Sequence, residues 1–131
     1  MPNDAILIVD DNAANLKLAR LLLTAEGHDA RTAIDAEQAI KLLETFKPGL
    51  ILMDIQLPGM DGLTLTQKLK ADPATRAIVI VALTAYARKG DEERARAAGC
   101  DGYIAKPIDV NTLPVQVRQY LAEARAGAPG K

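Results

Sequence analysis

Five side chains stand where short aliphatic blocks run out: Asp10 with Asp11 after "AILIV", Asp54 after "GLILM", Thr84 at the end of "AIVIVALT", and Lys106 at the end of "GYIAK". Three carboxylates crowded into one patch repel one another unless a cation joins them. A hard divalent ion held by carboxylates and water is the natural candidate, and Mg2+ suits a site that keeps several waters and meets phosphate oxygens. A hydroxyl and an ammonium facing a carboxylate beside that metal are what a phosphoryl group on the carboxylate would require. This chemistry makes Asp54 the nucleophile.

The elements that must bring these residues together can be read from hydrophobic pattern. The blocks 5 to 10, 49 to 54 and 77 to 84 are short, rich in Ile, Val and Leu, and lack in/out alternation, as expected of strands buried on both faces. "HDARTA" (28 to 33) and "GYIAK" (102 to 106) read as shorter, more polar edge strands. Between the blocks lie helical segments. Leu16, Ala19 and Leu23 recur at helical spacing before Gly27, a C-cap signal; Asp35 followed by Gln38 reads as a capping box. Leu65 and Leu69 mark a third helix, and "RKGDEERARAAG" a fourth, polar one ended by Gly99. Leu113, Val117, Tyr120, Leu121 and Ala124 form the stripe of the last, with Pro114 tolerated in its first turn. Five alternations of strand and helix predict an α/β fold: a doubly wound parallel sheet with right-handed crossovers, helices on both faces and a crevice outside the carboxyl ends of the strands. Asp10, Asp11, Asp54, Thr84 and Lys106 would converge there.

Composition narrows the partners. The chain has 131 residues, enough for one domain, with 16 basic against 17 acidic residues and no run of four or more Lys/Arg. Nucleic acid and anionic membrane are therefore disfavoured as partners. Cys100 stands alone, so no internal disulfide forms, and "MPNDAILIVDDN" has the wrong flanks for a signal peptide. No segment reaches the ~18 consecutive apolar residues that span a bilayer. A cytoplasmic location is expected. Residues 1–125 read as the domain and 126–131 as a frayed tail.

"LIVDDN", "LILMDIQLPGMDG", "VALTA" and "GCDGYIAKP", in this order over about residues 5 to 122, resemble the receiver domain of bacterial two-component response regulators. The resemblance implies a flavodoxin-like strand order, 2-1-3-4-5, with five helices. It implies that Asp54 receives a phosphoryl group from a histidine of a sensor kinase or phosphotransfer protein, in a Mg2+-dependent step. It further implies that Asp11, Asp54 and the backbone carbonyl of Gln56 ligate the metal while Asp10 acts mainly through water. Thr84 and Lys106 would contact the phosphoryl group, and Tyr103 would turn inward from an exposed rotamer as the switch aromatic. The Lys106–Pro107 bond is expected to be cis. A downstream protein would read the face formed by helix 4, strand 5 and helix 5. The family leaves two positions variable, and these should tune the lifetime of the phosphorylated state. Gln56 can hydrogen-bond the attacking water, whereas Tyr86 either shields the site or belongs to the partner surface.

Other readings compete with these. An Asp at a strand end can simply cap a turn, but matching residues at four strand ends argue against that for Asp10, Asp11 and Asp54. Asp61, in "GMDG", reads as a turn or N-cap residue. His28 reads as a surface residue and Cys100 as a small packing residue. The main rival function is a Mg2+-dependent phosphohydrolase with an aspartyl-phosphate intermediate, as in haloacid-dehalogenase-like enzymes. Those enzymes place the nucleophile on the first strand with an Asp two residues later, where Asp54 closes the third and is followed by Gln56. A receiver-like docking module that is never phosphorylated would be expected to lack a site residue, and none is missing. No DNA-binding domain is expected to follow, so output is expected through protein contact, from a free protein or from a receiver cut from a longer chain; the start Met and short tail favour the former. The protein is not expected to be an enzyme beyond promoting its own phosphorylation and dephosphorylation.

Overall fold

The computed structural model describes residues 5–57, 59–84, 90–106 and 108–127. Among them, strands β1 (Ile6–Val9), β2 (Ala30–Ala33), β3 (Leu50–Asp54), β4 (Val79–Thr84) and β5 (Gly102–Ala105) alternate with helices α1 (Ala13–Ala25), α2 (Ala36–Leu43), α3 (Gly62–Ala71), α4 (Asp91–Ala98) and α5 (Leu113–Gly127). The strands form one parallel sheet in the order β2-β1-β3-β4-β5. The order reverses between β1 and β3, so a crevice opens at their carboxyl ends. α5 runs to Gly127, past the expected start of a tail; residues 128–131 lie outside the described ones.

The aliphatic blocks became the three central strands because both sheet faces are covered. β1, β3 and β4 are buried at every position. One set of their side chains, including Leu7, Ile51 and Ile80, packs with Ala39 of α2, Leu65 of α3 and Ala95 of α4. The alternate set, including Ile8, Leu52 and Val81, packs with Leu16 and Leu23 of α1 and Val117 of α5. Truncating a buried leucine such as Leu52 to Ala would cost about 2–5 kcal/mol. The edge strands β2 and β5 mix buried and exposed positions, as their polar composition requires.

Local signals set the helix ends. Asp35 Oδ1 accepts from the Gln38 N–H at 2.8 Å, while Gln38 Oε1 accepts from the Ile34 N–H at 3.0 Å. The capping pair is thus present, with its return bond one residue earlier than in a strict box. Asp61 Oδ1 accepts from the Thr64 N–H at 2.8 Å and caps α3, the role expected of it. Cys100 is buried against Thr66, toward which its thiol donates at 3.9 Å. Burial pushes that thiol above its ordinary pKa despite the Thr66 contact, which keeps it unreactive at neutral pH. It packs, as expected.

Two expectations require correction. β2 begins at Ala30, not His28. His28 is only 9% exposed and is not a surface residue. The cause is the end of α1: Gly27, at φ 93°, reverses the chain so that the His28 N–H donates to the Leu23 carbonyl at 3.1 Å, which carries the imidazole inward.

At the opposite end of the sheet from the crevice, one lysine ties four segments together. Lys70 Nζ on α3 donates to the carbonyls of Arg76 and Ile78 at 3.1 and 2.8 Å and to Asp101 Oδ2 at 2.8 Å. Asp101 Oδ2 in turn accepts from the Ile80 N–H at 2.9 Å. Gly99, at φ 110°, lies against this lysine, since a Cβ there would stand 2.9 Å from Lys70 Cγ. Lys70→Met keeps the stem and removes three donors, so urea denaturation should show a loss of about 2 kcal/mol. An unchanged midpoint would mean that the ammonium contributes no net stability.

Candidate functional site

Register brings the predicted residues together. Val9 lies opposite Met53, Asp54 opposite Leu83, and Thr84 opposite Ala105, so the residues at these strand ends point into the same crevice. Asp10 is fully buried and Asp54 is 3% exposed, while Asp11 is exposed at the rim. One carboxylate oxygen from each of the three lies within 4.8 Å of the others.

Lys106 closes the site from the β5 end. Its backbone N–H donates to the Thr84 carbonyl at 2.6 Å, which aims the side chain inward. Nζ then lies 2.9 Å from Asp10 Oδ2 and 3.1 Å from Asp54 Oδ2. Burial works against the charge on Lys106, but the hydrogen bond to Asp10 and the attraction of Asp54 and Asp10 outweigh it and hold its pKa above the lysine norm. Asp54 shows the opposite balance. Burial raises its pKa above the carboxylate norm, against the lowering effects of the Gln56 N–H, donating to Oδ1 at 2.9 Å, and of Lys106. A buried carboxylate that keeps some proton affinity and is aimed by two donors suits a nucleophile.

The donor set fits a small hard cation. Oxygens around an ion with bonds of ~2.1 Å stand roughly 3–4 Å apart, and the three carboxylates span little more. The fit depends on a cation being attractive there, and the shared ammonium of Lys106 indicates that it is.

Thr84 is buried at 1% exposure at the end of β4. Gln56 has an exposed side chain. Tyr103 is half-buried against the cluster beneath α2, α3 and α4. The Tyr120 hydroxyl bridges its backbone, accepting from the N–H at 3.3 Å and donating to the carbonyl at 3.4 Å. Tyr86, Pro107 and the Lys106–Pro107 bond lie outside the described residues.

Three residues of the site escaped sequence reasoning. The Asn12 N–H donates to Asp10 Oδ1 at 2.9 Å, and Asn15 Nδ2 donates to Asp10 Oδ2 at 3.4 Å. The Asn-x-x-Asn spacing directly after the acidic pair was the available signal. Gly62, first residue of α3, is the third: a Cβ there would run into the Asp54 carbonyl oxygen and stand 2.9 Å from Ile55 Cα. The helix start rests directly on the backbone of the candidate nucleophile.

The comparisons agree with this geometry. Residues 6–118 match the family model for the response regulator receiver domain, and the chain belongs to that family. The polar-differentiation response regulators DivK of Brucella anthropi and Brucella ovis are each 44% identical over 120 residues, covering 92% of this chain and 98% of theirs. A putative response regulator from Chloroflexus aurantiacus is similar in structure, with a TM-score of 0.86 at 31% identity over 93% of this chain and 99% of its own. A CheY-like receiver domain protein from Methanospirillum hungatei gives 0.85 at 30%, over 95% and 98%. The protein is thus a two-component signalling module with a phosphoacceptor role and not a classical enzyme, and the phosphohydrolase reading is not favoured.

Because Gly62 and Asp54 touch through backbone, Gly62→Ala must push α3 and β3 apart by about 1 Å. Overpacking of this kind costs about 1–3 kcal/mol. A shift of that size at a reacting group can slow chemistry as much as ~100-fold. Labelling by acetyl phosphate should therefore fall well below wild type in protein shown by circular dichroism to be folded; wild-type labelling would show that the contact relaxes without moving Asp54.

Proposed function

We propose that Asp54 accepts a phosphoryl group from the phospho-histidine of a sensor histidine kinase or histidine phosphotransfer protein, and that the modified domain changes the protein it binds. The observation that carries this reading is the Lys106 ammonium, shared between Asp10 at 2.9 Å and Asp54 at 3.1 Å. A buried hydroxyl, Thr84, closes the neighbouring strand. In the transfer, an Asp54 carboxylate oxygen forms the P–O bond as the P–N bond breaks and the imidazole leaves with the bonding pair. The Gln56 N–H and Lys106 hold Asp54 in orientation and favour its anionic form.

Asp11, Asp54 and the backbone carbonyl of Gln56 would hold Mg2+, with Asp10 acting mainly through water. The donors already on both Asp10 oxygens support that division. The chemistry Mg2+ supplies when bound is neutralisation of charge on the transferring phosphoryl oxygens. Beyond this, the domain promotes only its own phosphorylation and dephosphorylation.

Once Asp54 carries a phosphoryl group, with about two negative charges in place of the carboxylate's one, Lys106 pairs with one phosphoryl oxygen and Thr84 donates to another. Tyr103 then turns inward, and the face of α4, β5 and α5 changes its protein partner. The near-neutral charge, 16 basic against 17 acidic residues, supports a protein partner over nucleic acid or membrane. Cytoplasmic action accords with such partners. No helix among the described residues is long and apolar enough to cross a membrane.

Acetyl phosphate or a phospho-histidine donor with Mg2+ should add one phosphoryl group by mass, and Asp54→Asn or EDTA should abolish it, because an amide supplies no nucleophilic oxygen. Full phosphorylation of Asp54→Asn at another aspartate would sink the assignment. Lifetime is a separate question. If Tyr86 shields the acyl phosphate from water, Tyr86→Ala should shorten its half-life several-fold, each tenfold being ~1.4 kcal/mol of barrier, with Mg2+ affinity unaltered. An unchanged half-life with lost partner binding would assign Tyr86 to the interface instead.

A further inference from the structure

We infer that Asn15 is a positioning residue for Asp10 whose contribution emerges when the site is phosphorylated; the inference rests on the phosphoacceptor reading of Asp54. Asp10 is the most deeply buried acid of the site, at 0% exposure. Among the described residues it has three donors: Lys106 Nζ at 2.9 Å and Asn15 Nδ2 at 3.4 Å on Oδ2, and the Asn12 N–H at 2.9 Å on Oδ1.

The three are not equivalent. The Asn12 N–H is fixed by the chain turn that starts α1. Lys106 is shared with Asp54 and has a new, more highly charged acceptor once Asp54 carries a phosphoryl group. If Lys106 follows that charge, Oδ2 of a fully buried carboxylate retains, among the described residues, one donor, the amide of Asn15. An unpaired buried carboxylate oxygen is costly, and an Asp10 that turned to relieve it would be displaced from its place beside the Mg2+ that Asp11 and Asp54 would hold.

The start of α1 holds Asn15 for this task. Asn12 caps the helix by accepting the Asn15 backbone N–H on Oδ1 at 3.0 Å. The first turn is thereby closed while the Asn15 side chain reaches back to Asp10. The two asparagines of "DDNAAN" divide the work: one fixes the helix and the other the acid. Substituting the Asn15 side chain leaves the cap intact, because the cap uses only its backbone.

The test compares Mg2+ titrations of the full chain in two states. Calorimetry follows Mg2+ alone, and 19F NMR of bound beryllofluoride, an acyl-phosphate mimic, follows Mg2+ with the mimic in place. Asn15→Leu, with Asn15→Ala as a second variant, should change the Mg2+ requirement less than twofold in the first. In the second it should raise that requirement roughly tenfold, the size typical of lost support around a metal ligand. Equal shifts in both titrations, the mark of general structural damage, would overturn the inference, as would no shift in either. A wild-type protein that takes up no beryllofluoride, or takes it up equally as Asp54→Asn, would sink the phosphoacceptor reading and this inference with it.

Discussion

Two carboxylates are buried at the end of a sheet otherwise made of aliphatic side chains, and a single ammonium lies between them. Removing a carboxylate from water costs several kcal/mol unless charge and hydrogen bonds compensate. Asp10 and Asp54 can occupy this place because Lys106 reaches both from the end of β5, with the Gln56 N–H on Asp54 and the Asn12 and Asn15 donors on Asp10 beside it. The rest of the architecture serves that reach. β3 and β4 must carry Asp54 and Thr84 to the same level, β5 must pair with β4 so that the Lys106 N–H meets the Thr84 carbonyl, and α3 must start on Gly62 so that nothing lies between it and the Asp54 backbone. Well-packed hydrophobic residues in place of such buried charges are often as stable or more so. The site is thus a local sacrifice of stability, supported by cores on both faces of the sheet.

The two ends of the sheet solve different problems with lysine. At the crevice, Lys106 serves two carboxylates and can exchange them for another anion. At the far end, Lys70 meets two backbone carbonyls and Asp101, filling its three donor positions. The same chemical group is exchangeable in one setting and structural in the other. What differs is whether its partners are fixed backbone or an acid open to modification.

Much of this was legible because the central strands are buried on both sides. "AILIV", "GLILM" and "AIVIVALT" could hardly be anything else, and once their ends were located the Asp10, Asp11, Asp54, Thr84 and Lys106 set followed from the rule for parallel sheets. Asp35 and Asp61 were readable because caps are local. The misses are tertiary. His28 is buried by a helix-ending turn at Gly27, and no property of a lone histidine announces that. Lys70 and Asp101 lie 31 residues apart, beyond any periodic pattern. Asn15 looks like an ordinary polar residue in a first helical turn until the fold places Asp10 beneath it.

The same shared ammonium gives a reason why chemistry at Asp54 should be felt far from it. Lys106 follows immediately after β5, and that strand is gripped from its other side by Tyr120 of α5, whose ring lies where a Gly102 Cβ would stand and whose hydroxyl bridges the Tyr103 backbone. β5 also meets α4, whose buried Ala95 joins the core shared with α2 and α3 and whose C-terminus is closed by the Gly99 turn beside Lys70. A pull on Lys106 toward a new charge would therefore be felt first along β5 and at the contacts Tyr120 makes with that strand.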